Sequence, residues 1–224
     1  MPFRDRSEAG GKLAAALAKY KGQRPIIFAL PRGGVPVAAE VAAALDAPLD
    51  LILVRKIGVP FQPELAMGAV VDGGEPITVR NEDVIRMGGI SETEFEAVRD
   101  RELAEIDRRR KRYLGDRPHP EVAGGVAIVI DDGIATGATI RAALRATRMR
   151  KPKALVLAVP VAPTRTLEEL RGEADEIVCL EDYEPFGAIG FFYSDFRQVS
   201  DQEVADMLAR FPPKPAASVA QPAA

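Results

Sequence analysis

The chain alternates between short, continuously apolar runs and longer segments in which apolar residues recur at helical spacing. Continuous runs of branched apolar residues are typical of parallel strands that are covered on both faces. We predict strands at 25–30, 49–54, 126–130, 154–159 and 176–180. We predict helices at 7–20, 35–45, 91–113, 141–146, 163–171 and 201–210. This order indicates an α/β fold with a doubly wound, mainly parallel five-stranded sheet and a ligand site beyond the carboxyl ends of its strands.

Two segments do not follow this alternation. Residues 57–80 are punctuated by glycine and proline and contain only short β-like pieces, and residues 181–200 carry a cluster of aromatic side chains. We expect these segments to form a flexible loop and a small hood over the strand ends. The domain is predicted to span residues 1–211. Residues 212–224 are rich in proline and alanine without periodic apolar positions, which predicts a disordered tail.

Composition and charge exclude several classes of function. The 224 residues carry 30 basic and 33 acidic side chains, a near balance that argues against nucleic acid as the main partner. The basic run 108–112 lies on a predicted helix with interleaved acids and apolar residues, so we interpret it as a solvated helix face. No apolar run approaches the length of a membrane span and no signal peptide opens the chain, so we expect a cytoplasmic protein without a membrane partner.

Cysteine and histidine are scarce. The single cysteine, Cys179, lies within an apolar run, which indicates a small buried side chain and excludes internal disulfides. The single histidine, His119, lies between two prolines in a polar loop and is interpreted as a surface residue. A metal site built from several histidines is therefore excluded.

The strand predicted at 126–130 is followed by the most informative segment of the chain. Asp131 and Asp132 end this strand, and a loop with Thr136, Gly137 and Thr139 leads into a helix. Free N–H groups and the dipole at a helix N-terminus bind anions, and two adjacent carboxylates are strong acceptors for a diol. The pattern therefore predicts a ribose 5-phosphate site, with the hydroxyls on the acids. The 5-phosphate is assigned to the loop residues Ala135, Thr136, Gly137, Ala138 and Thr139.

Two further strand ends carry groups that suit phosphate. Arg32, Gly33 and Gly34 follow the first strand and precede a helix, where glycines expose backbone N–H groups and the guanidinium adds a forked cation. A tight strand-to-helix turn would account for these three residues equally well when they are considered alone. Arg55 and Lys56 follow the second strand. Because the carboxyl ends of parallel strands open onto one crevice, the combination predicts a ribose that carries two phosphorylated positions.

The segment Ile128-Val-Ile-Asp-Asp-Gly-Ile-Ala-Thr-Gly-Ala-Thr-Ile140 resembles the signature of the type I phosphoribosyltransferases, which bind 5-phosphoribosyl-1-pyrophosphate (PRPP). That signature consists of apolar residues, two acids, two variable positions, and then Ala/Ser/Asp-Thr-Gly-x-Thr/Ser. Every defined position is matched. The resemblance extends from about Phe3 to Phe211 and points in particular to a group of poorly characterised bacterial phosphoribosyltransferases.

The resemblance implies the type I fold and transfer of the phosphoribosyl group from PRPP to a nucleobase-like nitrogen, with release of pyrophosphate and assistance from Mg²⁺. It also implies a cis peptide between Pro31 and Arg32. The residues assigned to catalysis are Asp131, Asp132, Arg32 and Lys56. The residues assigned to pyrophosphate are Arg32, Gly33, Gly34, Arg55 and Lys56. The metal is expected on substrate phosphates, with Asp131 and Asp132 as indirect partners.

The acceptor site is predicted in the hood. Aromatic rings near the strand ends suit a planar base, although a small satellite core beneath the hood would explain them about equally well. The residues assigned to the acceptor are Phe186, Phe191, Tyr193 and, as an acid or base, Glu64. Ala135 replaces the aspartate that 6-oxopurine enzymes of this family carry, and residues 158–162 lack their lysine. Both departures disfavour a 6-oxopurine acceptor.

The expected partners are PRPP and a small-molecule acceptor, with no nucleic acid, and the sequence leaves room for a homodimer. A non-catalytic regulator that senses PRPP or a nucleotide is the alternative on the same fold. The retained Arg32-Gly-Gly and Lys56 favour the enzyme.

Overall fold

The computed structural model describes residues 2–73 and 76–211. The tail predicted for residues 212–224 lies outside the described residues. The strands are β1 (Pro25–Ala29), β2 (Leu49–Leu51), β3 (Val54–Val59), β4 (Gln62–Val71), β5 (Ile77–Arg80), β6 (Val126–Ile130), β7 (Ala154–Pro163) and β8 (Glu176–Tyr183). The α-helices are α1 (Arg6–Ala16), α2 (Gly34–Leu45), α3 (Glu82–Gly88), α4 (Glu92–Leu114), α5 (Ala138–Met149), α6 (Thr164–Leu170) and α7 (Asp201–Ala209). Short 3₁₀ helices cover Ala18–Tyr20 and Ile189–Phe192.

The main sheet has five strands in the order β2-β1-β6-β7-β8, and every neighbouring pair is parallel. This confirms the α/β fold and the five-stranded parallel sheet predicted from the apolar runs. The chain leaves β1 in one direction, to β2, and returns on its other side as β6. This change of direction is a topological switch point, where open α/β sheets bind ligands.

Both faces of the main sheet are covered. All five residues of β1 and of β6 are buried. Successive side chains of a strand point to opposite faces, and accordingly Ile27 packs in the core beneath α1 and α2 whereas Phe28 packs in the core beneath α5. Burial on both faces is the reason that these strands are apolar without alternation.

The short β-like pieces predicted within residues 57–80 belong to a second, antiparallel sheet in the order β3-β4-β5, whose strands include most of the described residues of this segment. Gly58 lies at a register shift in the hairpin, where a Cβ would meet the carbonyl oxygen of Pro63 at 2.4 Å. Bulges of this kind bend a hairpin and favour glycine. Of the predicted hood, residues 181–200, the first three extend β8 and four form the second 3₁₀ helix.

The single strand predicted at 49–54 is two strands in two sheets. The Ile52 N–H donates to the carbonyl oxygen of Ala29 in the main sheet. At the next residue the partner changes: the Leu53 N–H donates to Asp72 Oδ1 at 2.7 Å, and the Asp72 N–H donates to the Leu53 carbonyl at 3.0 Å. Arg55 and Lys56 therefore lie on β3 of the second sheet and not in a loop at the end of a main-sheet strand.

Side chains set the beginnings of several helices. Ser91 and Glu94 form a reciprocal capping box at α4, as their spacing predicted. Helix α1 begins at Arg6 and is capped by Asp5, so the cap predicted at Ser7 is wrong by two residues. Helix α3, capped by Asn81, was not predicted because its seven residues show too short a periodic pattern. No helix within the described ranges is long and apolar enough to cross a membrane.

A buried ionic cluster fastens α4 to both sheets. Arg110 lies 3.0 Å from Asp72 and 3.4 Å from Asp50, and both carboxylates are almost completely buried. Burial raises the pKa of Asp72 to about 6 and also raises the pKa of Asp50. The neighbouring His119 is half-buried, so the surface position predicted for it is wrong. Burial lowers its pKa to about 4, and the side chain is therefore neutral at neutral pH.

We predict that Arg110→Met destabilises the protein by about 3–5 kcal/mol at neutral pH, because two buried carboxylates lose their counter-charge. When the pKa of a buried carboxyl is higher in the folded state than in the unfolded state, its contribution to the free energy of unfolding is lost as pH rises through the folded-state pKa. The loss should therefore be larger at about pH 8 than at about pH 5. Urea unfolding at both pH values measures it, with the 72% exposed Arg101 as the matched control in Arg101→Met. A loss independent of pH would contradict this account.

Candidate active site

The carboxyl ends of β1 and β6 lie side by side at the switch point. Ala29 is paired with Ile130 across the two strands, and the Leu30 N–H donates to the Ile130 carbonyl at 2.9 Å. The turn after β1 and the acids after β6 are therefore neighbours. The structure brings together two of the three strand ends that the sequence singled out.

The turn Pro31–Gly34 approaches the acids more closely than any side chain would allow. A Cβ on Gly33 would lie 2.1 Å from Asp132 Oδ2, and one on Gly34 would lie 2.9 Å from the Asp131 Cα. Gly33 is also the N-cap of α2, and no side chain caps this helix end. The peptide between Pro31 and Arg32 is cis, as the resemblance implied. At this helix end the Gly34 N–H donates to the Leu30 carbonyl at 3.0 Å, the Val35 N–H donates to the Arg32 carbonyl at 3.2 Å, and Pro36 has no N–H. The N–H groups that the turn can offer an anion beside the two carboxylates are therefore those of Arg32 and Gly33.

Asp132 is anchored within the protein. Its Oδ2 accepts a hydrogen bond from Arg6 Nε at 2.7 Å, and both side chains are only about one-tenth exposed. Its carbonyl oxygen accepts a hydrogen bond from the Tyr193 hydroxyl at 2.6 Å. Arg6 was not predicted, because it lies 126 residues away in the sequence and no local pattern marks it.

Asp131 has a different environment. It is half-buried, its Oδ1 accepts the Asp132 N–H at 2.9 Å, and no cation among the described residues lies within salt-bridge distance of it. Burial and then the neighbouring Asp132 charge raise the pKa of the Asp131 carboxyl well above its usual range. Asp131 therefore lacks the internal counter-charge that Asp132 has, and is the better placed of the two acids to accept from a ligand.

The loop after the acids ends at the N-terminus of α5. Gly137 is the N-cap and has a φ of +74°, in the left-handed region that favours glycine. No side chain caps this helix, and Thr136, Ala138 and Thr139 line a cavity at its beginning. The carbonyl oxygen of Ala135 accepts from the Thr166 hydroxyl. The uncapped N–H groups and the hydroxyls of the two loop threonines are hydrogen-bond donors of the kind that suits a phosphate.

Lys56 approaches this loop from the second sheet. It lines the same cavity, of about 730 Å³, together with Thr136 and Thr139, which lie at the beginning of α5 beside the main sheet. Its ammonium lies 3.1 Å from the carboxylate of Glu64, whose side chain is 95% exposed on β4. Arg55 points elsewhere on β3 and donates to the buried Glu102 of α4 at 2.8 Å. The sequence placed both cations at one strand end, but in the structure only Lys56 lines this cavity.

Arg32 extends from the turn towards α7. Its guanidinium lies 3.6 Å from Asp201 Oδ1, and it lines a cavity together with residues of α4.

The three aromatic residues assigned to the acceptor lie in different environments. Tyr193 is buried and stacks with Phe196 beneath the hood, and Phe186 stacks with Phe192. Phe191 is 77% exposed. A satellite core therefore accounts for most of this cluster, and Phe191 is its exposed member. Arg6 lies over the Phe196 ring at 3.9 Å, which connects this hood core to Asp132.

The described residues contain no group of three or more side chains that would hold a metal by themselves. Asp131 can supply one carboxylate, whereas Asp132 is already paired with Arg6. This donor set fits Mg²⁺ that is held mainly by substrate phosphates and water.

We predict that Gly33→Ala lowers the free energy of unfolding by about 1–3 kcal/mol, because the new methyl group overlaps the anchored Asp132 carboxylate. Gly11→Ala is the control, since a Cβ there meets no atom within 4 Å and alanine favours a helix. Chemical unfolding compares the two variants. Equal stability of Gly33→Ala and the unmodified protein would show that Asp132 is not held in place.

Comparison with known proteins identifies the family of this chain. A family model described as a phosphoribosyl transferase domain matches residues 6–193. Two proteins of Mycobacterium tuberculosis, provisionally named as phosphoribosyl transferases, are each 45% identical over 208 residues, which is 93% of this chain and 46% of theirs. The chain thus spans about half the length of these curated relatives.

Solved structures show the same architecture. TT1426 from Thermus thermophilus has a TM-score of 0.83 at 39% identity, over 95% of this chain and 100% of that one. AQ2163 from Aquifex aeolicus has a TM-score of 0.51 at 11% identity, over 92% and 86% of the chains, which is a similarity of fold alone. The match of the family model over most of the chain, at a site with the geometry described above, establishes that this chain belongs to the phosphoribosyltransferase family with the type I fold.

Proposed function

We propose that this protein transfers the phosphoribosyl group of PRPP to a nitrogen of a nucleobase-like acceptor and releases pyrophosphate. The observation that carries the proposal is the close contact, beyond the ends of β1 and β6, of the Pro31–Gly34 turn with Asp131 and Asp132, followed along the chain by the uncapped N-terminus of α5. Two groups of N–H donors on either side of an acid pair in the chain match a ribose that carries phosphate on C5 and pyrophosphate on C1.

The chemistry is mainly positional and electrostatic. Breaking the bond between C1 and pyrophosphate leaves positive charge on the ribose and negative charge on the leaving group. The carboxylate of Asp131 accepts from the ribose hydroxyls and favours the cationic ring. The Pro31–Gly34 turn and Lys56 hold the leaving pyrophosphate, and the Thr136–Thr139 loop holds the 5-phosphate. Asp132 has a positioning role, because the hydrogen bond that it accepts from Arg6 keeps the acid pair beside the turn.

Mg²⁺ fits this site as a partner of the substrate. When bound to pyrophosphate, it would neutralise the negative charge that develops on the leaving group. Asp131 is the side chain that we assign to it, directly or through water.

The hood forms the acceptor side in this proposal. Phe191 supplies an exposed ring for stacking, and Tyr193 supports the backbone of Asp132 from beneath. Ala135 and the lysine-free segment 158–162 favour an acceptor other than a 6-oxopurine. The ion pair of Glu64 with Lys56 makes Glu64 a modulator of the pyrophosphate side instead of an acceptor residue.

The test is the release of pyrophosphate from PRPP, with and without Mg²⁺, against a panel of purines, pyrimidines and simple amines. We expect one class of nitrogen acceptor to give release well above hydrolysis. PRPP binding without release for every acceptor would contradict an enzyme and support the non-catalytic sensor instead. Absence of PRPP binding would contradict both functions.

We predict that Thr139→Val weakens binding of both PRPP and ribose 5-phosphate by roughly 1–3 kcal/mol, because a hydroxyl donor to the 5-phosphate is lost. Thr136→Ala should act in the same way. Thr93→Val, at an exposed threonine on α4, is the matched control and should bind both ligands normally. Calorimetric titration measures the affinities, and unchanged affinity in both loop variants would remove the 5-phosphate assignment.

We predict that ionisation of Asp131 produces the rise of the pH–rate profile at acidic pH (its acid limb). The pKa of its carboxyl is raised above the ordinary value in the free protein, so the required carboxylate forms only as pH rises through that raised pKa, and kcat/KM should rise with it. Asp131→Asn should lower kcat more than it lowers PRPP affinity and should abolish this limb. Asp116→Asn, at an exposed position, is the control. A pH–rate profile measures both, and an unchanged acid limb in Asp131→Asn would assign the ionisation to another group.

A further inference from the structure

The basic run on α4 does not form one solvated face. Arg110 turns inward to Asp50 and Asp72, whereas Lys111 is exposed. The remaining arginines of the run, Arg108, Arg109 and Arg112, have the i, i+1, i+4 spacing of one helix side, and they line a single cavity of about 220 Å³.

This arginine cavity borders the turn after β1. Its other walls are Pro31, Arg32, Tyr113 and Asp201. Asp201 lies 2.8 Å from Arg112 and accepts the Tyr113 hydroxyl at 2.6 Å, so its carboxylate is fixed at the rim. The cavity therefore lies on the α4 side of the Pro31–Gly34 turn. The two glycines of this turn approach Asp131 and Asp132.

The charges of the arginine cavity do not cancel. Glu105 accepts from both Arg108 and Arg109, each at 2.7 Å, and Asp201 is shared between Arg112 and Arg32. Four guanidinium groups therefore face two carboxylates, an excess of two positive charges. Guanidinium groups match phosphate oxygens in geometry as well as in charge.

Arg109 connects this cavity to the phosphate loop. Together with Pro31 it also lines a smaller cavity of about 40 Å³, whose other walls include Arg55 and Thr139. An anion held by the turn can thus be reached by Arg109 from the α4 side. The small volume of the cavity and the inward use of Arg110 do not suit a nucleic-acid backbone, which needs an extended basic surface.

We propose that the arginine cavity binds the pyrophosphate group, with Arg109 contacting it beside the Pro31–Arg32 peptide and with Arg108 and Arg112 supplying the surrounding charge. The proposal rests on the proposed function and adds to it a set of cations on α4, which the sequence had assigned to solvent. Arg109 is a binding residue in this scheme, and Arg112 is a positioning residue that acts through Asp201 on Arg32.

The experiment is calorimetric titration of the full chain with inorganic pyrophosphate and, separately, with ribose 5-phosphate. Arg109→Gln should weaken pyrophosphate binding at least about tenfold and leave ribose 5-phosphate affinity within about twofold. Arg112→Gln should show a smaller loss of the same kind, and Arg109→Lys should fall between Arg109→Gln and the unmodified protein, because it keeps the charge without the fork. Lys111→Gln, at the exposed neighbour, is the matched control. Thermal unfolding of each variant verifies that it is folded. If Arg109→Gln does not fold, the affinities of Arg112→Gln decide the test.

Two outcomes would overturn the proposal: unchanged pyrophosphate affinity in both glutamine variants, or an equal loss of ribose 5-phosphate affinity in Arg109→Gln. The readout separates this proposal from the proposed function. Selective loss of pyrophosphate binding would support the arginine cavity even if no acceptor were found. Normal pyrophosphate binding in both variants of an active enzyme would reject the cavity alone.

Discussion

The ion pair between Arg6 and Asp132 is the interaction on which the candidate site depends. It joins the first turn of α1 to the residue that ends the acid pair, and Arg6 also donates to the carbonyl oxygen of Arg197 in the hood. Removing one partner of a buried pair leaves the other charge uncompensated, at a cost of about 3–5 kcal/mol. The pair therefore holds three segments in one arrangement: the N-terminal helix, the end of β6 and the hood.

This pair also explains why two adjacent carboxylates have unequal environments. A buried acid without a counter-charge tends to remain protonated, and two such acids side by side would repel each other. The guanidinium of Arg6 compensates Asp132, which leaves Asp131 as the acid whose charge depends on the ligand. The same division occurs among the cations, where Arg110 neutralises buried acids while Arg109 faces a cavity.

Local patterns were sufficient for the core of the fold and for the positions of the two loops to which we assign phosphate. Strands β1 and β6 are buried on both faces, so their unbroken apolar runs identified them, and the residues that follow are positioned by covalent connection. The sequence indicated only short β-like pieces of the second sheet and not its boundary, because that boundary depends on Leu53 pairing with Asp72, a contact 19 residues away. The run 49–54 is apolar except for Asp50, and no break in the sequence marks the division between Ile52 and Leu53 that this tertiary contact makes.

Side-chain partners were the least predictable feature. Arg6 and Asp132 are 126 residues apart, and Arg55 is paired with Glu102 at a separation of 47. The spacing within 108–112 was sufficient to assign a helix, but it gave no indication of which side of that helix would meet the turn after β1. Such choices are made by the packing of whole elements, and a single sequence carries no local signal for them.

The cavity of about 730 Å³ has walls from two sheets: Thr136 and Thr139 come from the main fold, whereas Lys56 comes from the antiparallel hairpin sheet. An anion that touches both walls is a non-covalent cross-link between the two sheets. Binding to the folded state alone stabilises it by an amount that grows with the logarithm of ligand concentration. Here that stabilisation would be concentrated at the junction between the sheets, so the ligand would act as a structural component of the protein in addition to its part in the chemistry.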